Sequence, residues 1–486
     1  MARGAMLMVA FKVAERSIGF ISTLLLARLL VPADFGLVAM AMSVVSLIEL
    51  MGAFGFEIAI IQRANADRKH YDTAWTFGVI FSTATALLLL VLAVPVADFY
   101  NDQRLVMVFP VLAFGAFVSG FENIGTVAFR KGMDFGKEFR FLLSKKVVSF
   151  VVTISVAFAF QSYWALVAGT VVGKVCMVLI SYQVHPFRPR FSLEATKDLF
   201  HFSRWLFLSN LVLFLQNKSD SFILGRTIGA ADLGLYKIAG EIAALPSTEL
   251  IAPINRAVFP AYSLLSNELA HLREKFLEVF RFIAVISVPV SIGLVCVADL
   301  AVQVLLGPKW MAAVPMLKLF VVCGLASALQ SNLILVIVAL GKPKANTIRS
   351  ACMLVLYLPA MVWGSLHYGA IGATWVHLVM SVIALIPLHV VFFHLTGMSR
   401  RRYFMTLWRP GLAAAFMATT IFIVRSGLVS YHDTIPSLVL LMTYVITGAI
   451  SYVTFLLALW QLSGRPAQSA ESAILKKLVA RFKAKK

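Results

Sequence analysis

The chain has 486 residues, 60% of them hydrophobic, with a mean hydropathy of +0.87 and a formal net charge of +20. A water-soluble protein has no means of covering that much apolar surface, so the bilayer is the expected solvent and a soluble catalytic domain is excluded. The basic excess then reads as membrane topology rather than as a nucleic-acid footprint, and no nucleic acid is expected as a partner.

Taken in chain order, apolar runs long enough to cross a bilayer recur from end to end. They predict spans at 5–30, 34–61, 74–97, 105–129, 141–160, 163–184, 205–225 and 233–262. Six more follow at 282–300, 311–340, 350–366, 370–396, 410–428 and 436–462, giving fourteen in an all-α polytopic membrane protein. The opening MARGAMLMVAFKVAERSIGF reads as part of the first span rather than as a signal peptide, because Lys12, Glu15 and Arg16 interrupt its apolar centre. Placing the N-terminus in the cytoplasm puts most of the 43 basic residues in loops on that side. Clusters at 63–69, 130–146, 188–204, 273–281, 342–349 and 400–409 all fall there, whereas the outer side receives only Arg28, Arg104, Arg226, Lys309 and Arg425. One missed span would invert every later loop, so the pattern supports fourteen spans with both termini inside. The tail AESAILKKLVARFKAKK gathers apolar residues on one helical face; it reads either as a helix lying on the membrane surface or as a solvated basic tail.

A connection is repeated. LLLARLLVPADFGLVAM, from Leu24 to Met40, returns as LGRTIGAADLGLYKI, from Leu224 to Ile238. Arg28, Asp34 and Gly36 match Arg226, Asp232 and Gly234 at a constant offset of 198 residues. The glycine is expected to permit a tight turn and the aspartate to cap the following helix, which makes these residues structural. Six spans separate the copies, so the two halves share an orientation: parallel six-helix lobes with a site between them. The expected divisions are 1–196 and 197–396 for the lobes, 397–462 for two further helices and 463–486 for the tail.

Several motifs then resemble a known family. ARLLVPADFGL, GPKWMAAVPMLKLF, LGKPKANTIR and HYGAIGATWVHLVMS look like the polysaccharide-transporter branch of the MOP superfamily, which contains Wzx-type flippases. The resemblance covers nearly the whole chain. It implies a MATE-like bundle of two lobes plus two C-terminal helices. It also implies alternating-access movement of undecaprenyl-pyrophosphate-linked oligosaccharide to the outer leaflet of a bacterial inner membrane, with membrane lipid, glycosyltransferases and a polysaccharide polymerase as pathway partners.

Charges inside the spans suggest where such a substrate would bind, because cations facing lipid are costly. Lys12 and Arg16 share a helical face with Gly19 and Thr23 and are the favoured phosphate ligands, with Lys218, Lys237 and Arg256 as candidates in the second lobe. Glu15, Glu49, Glu57, Asp220, Glu241 and Glu249 are the acids that would receive sugar hydroxyls, carry a proton or close ion pairs. Lys237 and Glu241 read equally well as an internal pair at i,i+4 spacing. Lys174 and Lys318 read as inter-helix pairs or snorkelling residues, and Glu122 receives no role. His377, His389 and His394 suggest hydrogen-bonded helix contacts more than a proton relay, while Trp310, Tyr100 and Tyr431 look like interfacial anchors.

The four cysteines lie in apolar runs without ligand spacing, so neither a metal nor a disulfide is expected, and no cofactor motif is present. Short outer loops without an acid–base constellation argue against the enzyme alternative, a polytopic glycan polymerase or ligase. A MATE-type cation-coupled exporter is the remaining rival; Lys12 and Arg16 around Glu15 suit an anion better.

Overall fold

The structure is a computed structural model that describes residues 2–52, 55–63, 66–428, 435–465 and 472. The amphipathic tail and Tyr431 lie outside the described residues. Two compact units divide the chain, Met1–Gly234 and Leu235–Lys486.

In the first unit, α1 (Ala2–Leu29) is followed by α2 (Pro32–Glu49), a short α3 (Phe56–Gln62) and α4 (Arg68–Tyr100). Then come α5 (Arg104–Ser119), a short α6 (Val127–Lys131), α7 (Phe135–Phe160), α8 (Trp164–Val184) and the first part of α9 (Thr196–Leu245). Local chemistry sets the boundaries. Pro32 opens α2, where its missing N–H costs nothing, and Asp34 reaches back to accept from the Val31 N–H at 3.1 Å. α4 ends at Asn101 with φ 54°, and α7 at Gln161 with φ 45°, both in the left-handed region.

The second unit holds the rest of α9, then α10 (Ala252–Leu264), α11 (Leu269–Leu305), α12 (Val314–Ala339) and α13 (Pro343–Thr396). A short α14 (Arg400–Phe404), α15 (Trp408–Leu428) and α16 (Ser437–Leu462) complete it. A buried polar network ties α10 to α12: Asn255 donates to Ser331 at 2.7 Å, Asn332 to Asn255 at 3.1 Å and Tyr262 to Asn332 at 3.3 Å. Asp299 and Arg425 form an ion pair that joins α11 to α15.

Two glycines cut the longest helices in two. Gly229 (φ 77°, ψ 178°) breaks α9 and Gly369 (φ 62°, ψ −148°) breaks α13, conformations that favour glycine. Among the described residues nine helices are long and apolar enough to cross a membrane, and α5 with the bent continuation through α6 makes a tenth. α1, which carries Lys12, Glu15 and Arg16, the two parts of α9 and the second half of α13 bring the long segments to about fourteen among the described residues. The protein is an all-α polytopic membrane protein.

Several expectations need correcting. Glu49 and Glu57 do not share one helix: α2 ends at Glu49, and Gly55 (φ 66°) starts α3 as a separate element. Gly36 and Gly234 make no turn; both lie inside helices, and the turn of the second copy belongs to Gly229. Tyr100 and Trp310 are 3% and 0% exposed, so they are core residues rather than interfacial anchors. A π-helical turn, Pro246–Ile251, separates Lys237 and Glu241 from Arg256. Its wider turn shifts the helical phase, so these side chains do not keep the common arc that a regular helix would give them.

Candidate functional site

Charged side chains converge in the first unit, between helices that are otherwise apolar. Lys12 donates to Glu15 at 2.7 Å along α1. Lys174, on α8, donates to Glu49 at the end of α2, also at 2.7 Å, and so is an inter-helix pair. Arg130 bridges two acids, with Nε 2.9 Å from Glu138 and Nη1 3.1 Å from Glu57. Glu57 and Glu122 line a polar cavity of about 200 Å³ with Ser82, Ser119, Asn123 and Thr126.

Lys145 and Lys146 complete the cluster. α7 begins at Phe135, so these two lysines lie three turns into a helix rather than in a loop. The signal was Asp134, an N-cap residue whose carboxylate accepts from the Lys137 N–H at 3.2 Å. Lys146 points its ammonium at the Gly19 position of α1, the face that Lys12 and Arg16 also occupy. Lys145 is half-buried and feels the charges of Glu122, Lys174, Glu15 and Lys146. Among the described residues neither Lys145 nor Lys146 closes an ion pair, whereas Lys12 and Lys174 are already committed to acids. Two open ammonium groups beside a row of ion-paired ones can receive an anion without first giving up a carboxylate.

The other sequence candidates are spread out. Lys218 is exposed on the first part of α9, and the Asp220 carboxylate accepts from the Ser221 N–H at 2.8 Å. Lys237 and Glu241 stand on the second part of α9, Glu249 in the π turn and Arg256 exposed on α10, all in the second unit. Thr248 donates to Glu249 at 3.1 Å. Arg28 and Arg226 are exposed, while Asp34 is buried in its cap. His377 lies 3.2 Å from the Tyr357 hydroxyl, and His389 lies 3.0 Å from that of Tyr403, as hydrogen-bonded helix contacts should. No cluster of metal-ligating side chains occurs among the described residues.

The connector between α8 and α9 is held in place by a set of buried polar side chains. After α8 the chain runs extended to Ala195, held by side chains of α4. Asp72, Thr76 and Thr73 accept from the backbone N–H groups of Arg190, Ser192 and Ala195 at 2.9, 3.0 and 3.2 Å. Asn123, fully buried, donates to the carbonyls of Phe187 at 2.8 Å and His185 at 3.2 Å. Asn123, which lines the polar cavity, thereby ties it to the connector between α8 and α9.

A family model described as "Polysaccharide biosynthesis protein" matches residues 25–315, well over half of the chain. The chain belongs to this family. Among its relatives is the teichuronic acid biosynthesis protein TuaB of Bacillus subtilis (strain 168), 26% identical over 410 residues, which are 83% of this chain and 84% of that protein. The lipopolysaccharide biosynthesis protein WzxC of Escherichia coli (strain K12) is 24% identical over 402 residues, 81% of each chain. The solved structure of the lipid II flippase MurJ in an inward closed conformation superimposes with a TM-score of 0.75, covering 93% of this chain and 99% of that one at 12% identity. At that identity the match establishes a shared fold.

Proposed function

We propose that this polysaccharide biosynthesis family member is a flippase, not an enzyme. It carries an undecaprenyl-pyrophosphate-linked oligosaccharide from the cytoplasmic to the outer leaflet of a bacterial inner membrane, with both of its own termini in the cytoplasm. The names of TuaB and WzxC support a cell-surface glycan pathway, and the MurJ fold supports lipid-linked cargo. The reading rests above all on the cation cluster of the first unit, where Lys145 and Lys146 stand open between α1 and α8. A pyrophosphate needs cations at short range in a place shielded from bulk water, and its glycan needs polar groups beside them.

In this account Lys12, Arg16, Lys145, Lys146 and Lys174 hold the pyrophosphate in turn. Glu15 and Glu49 neutralise Lys12 and Lys174 when the site is empty. Lys218, Lys237 and Arg256 receive the anion later in the cycle, and Asp220, Glu241 and Glu249 contact sugar hydroxyls. The polyprenyl chain stays in lipid throughout. An inside-negative potential favours outward movement by about 2.3 kcal/mol per anionic charge per 100 mV. Glycosyltransferases supply the cargo on the inner face, and a polymerase consumes it outside.

The test is a deletion strain in which lipid-linked oligosaccharide is quantified by leaflet. Inner-leaflet accumulation, relieved by the wild-type chain but not by Lys145→Ala/Lys146→Ala, is expected. Relief by that variant moves the phosphate site elsewhere, and no accumulation on deletion rules the function out.

A further inference from the structure

The repeated motif has a role that its turn chemistry does not explain, because its two copies touch. Gly36 of α2 lies against the backbone of α9. A methyl group at Gly36 would overlap the carbonyl oxygen of Ala230 and stand 2.9 Å from the Gly234 nitrogen. Gly234 returns the contact: its methyl would overlap the carbonyl oxygen of Pro32 and stand 3.1 Å from the Gly36 nitrogen. Pro32 and Ala230 are themselves related by the 198-residue offset, as are Gly36 and Gly234. Each copy therefore offers its glycine to the other's carbonyl, a two-fold clasp of backbone on backbone that any side chain would prop open.

Neighbouring groups close around the clasp. A methyl at Gly225 would stand 2.6 Å from the Tyr100 ring and 2.9 Å from Met40. The Tyr100 hydroxyl meets Ser43 at 3.2 Å, and the Arg226 guanidinium lies 5.7 Å from the centre of the Phe99 ring. The α1–α2 connection, the end of α4 and the break in α9 thus meet at the end of the helices that the charge distribution assigns to the outer face.

We propose that this reciprocal glycine clasp is the latch that keeps the outer side shut during transport, and that the two motif copies must part to release cargo. The inference rests on the transport reading above for the purpose of the latch, but not for its existence. It explains why the motif is duplicated: a two-fold clasp needs one glycine and one carbonyl from each copy.

The test places a single cysteine at Met40, a buried position beside Gly225, after replacing Cys176, Cys296, Cys323 and Cys352. Its labelling by a membrane-impermeant maleimide is followed from the outer side of intact cells. Gly36→Ala and Gly234→Ala should each speed labelling about tenfold, the change produced by moving the closed state up by about 1.4 kcal/mol. Gly120→Ala, a control whose methyl would overlap Ser82 away from the clasp, should not. Each variant is first checked for a single monodisperse species. If the glycine variants fail to fold, Arg226→Ala, which removes a rim contact without adding bulk, is read in the same way. Unchanged labelling in folded variants, or an equal rise in Gly120→Ala, overturns the latch. Adding lipid-linked oligosaccharide to the wild-type background should also speed labelling. If the glycine variants respond and the added cargo does nothing, the latch stands and the cargo assignment falls.

Discussion

Replacing Asn123 separates a structural requirement from a merely polar one. Its side chain is fully buried: the amide donates to Phe187 and His185 at 2.8 and 3.2 Å, and the oxygen accepts from the Gly125 N–H at 2.9 Å. Truncation to Ala leaves the Gly125 N–H without a partner and leaves the Phe187 and His185 carbonyls to the Arg188 guanidinium alone; three hydrogen bonds are lost at about 1 kcal/mol each, hence about 3 kcal/mol in all. With an unfolding entropy near 2.1 cal/mol/K per residue, that corresponds to a fall in Tm of about 3 °C if the chain unfolds as a whole, or about 6 °C if the first unit unfolds alone. Asn123→Asp is the sharper test. It keeps the acceptor toward Gly125 but turns a carboxylate toward two carbonyl oxygens, so it should cost more than Ala despite its closer shape. Both are read by tryptophan-fluorescence melting of purified protein in detergent at neutral pH. An Asp variant more stable than the Ala variant would refute the donor geometry on which the pinned connector depends.

Other substitutions have equally direct consequences, read in cells or by melting of the purified protein. Lys174→Glu should impair complementation, and adding Glu49→Lys should restore part of it by rebuilding the α2–α8 pair with its polarity reversed; no restoration would mean the pair has a directional role. Asp34→Ala should lower stability by about 1 kcal/mol through loss of the cap while Asp34→Asn costs less, measured as the Tm difference between the two. Trp310→Ala empties a site with no exposure and should cost about 3–5 kcal/mol, far beyond the effect expected of an interfacial anchor, as melting curves would show. Burial, reinforced by Lys137 and Arg188, holds the His185 pKa below its ordinary value, so the fold favours the neutral ring that accepts from the Phe187 N–H. That contribution is fully present above the ordinary histidine pKa and is lost as pH falls through the lower folded value. His185→Gln should therefore flatten the decline of Tm between pH 7 and 5.

Much of the fold was legible because lipid imposes simple rules. Span length and the side of each basic cluster define long helices directly, and the 198-residue offset exposed the repeat without any structure. Boundaries failed where one backbone angle outweighed hydropathy. Apolar Phe56–Gln62 reads as a continuation of α2 until Gly55 takes a positive φ. The site was legible in its residue types but not in its pairings. Lys12, Glu15, Glu49 and Lys174 stood out as charges among apolar neighbours, yet nothing in the sequence links Glu49 to Lys174, 125 residues away. Lys145 and Lys146 were hidden because a basic pair near a span end resembles a loop, and only the capped start of α7 at Phe135 brings them against α1. Gly36 was misread for a related reason: a glycine beside a connection suggests a turn, whereas here it admits another backbone.

The most direct test of the account is translocation by the purified chain. Reconstituted into liposomes with undecaprenyl-pyrophosphate-linked oligosaccharide, the protein should make nearly all of the glycan on the inner leaflet accessible to an impermeant glycosidase added outside. Protein-free liposomes should release only the outer-leaflet share, and Lys145→Ala/Lys146→Ala should resemble them. If the wild-type chain also leaves the inner share protected, with the protein folded and inserted, the flippase account is contradicted.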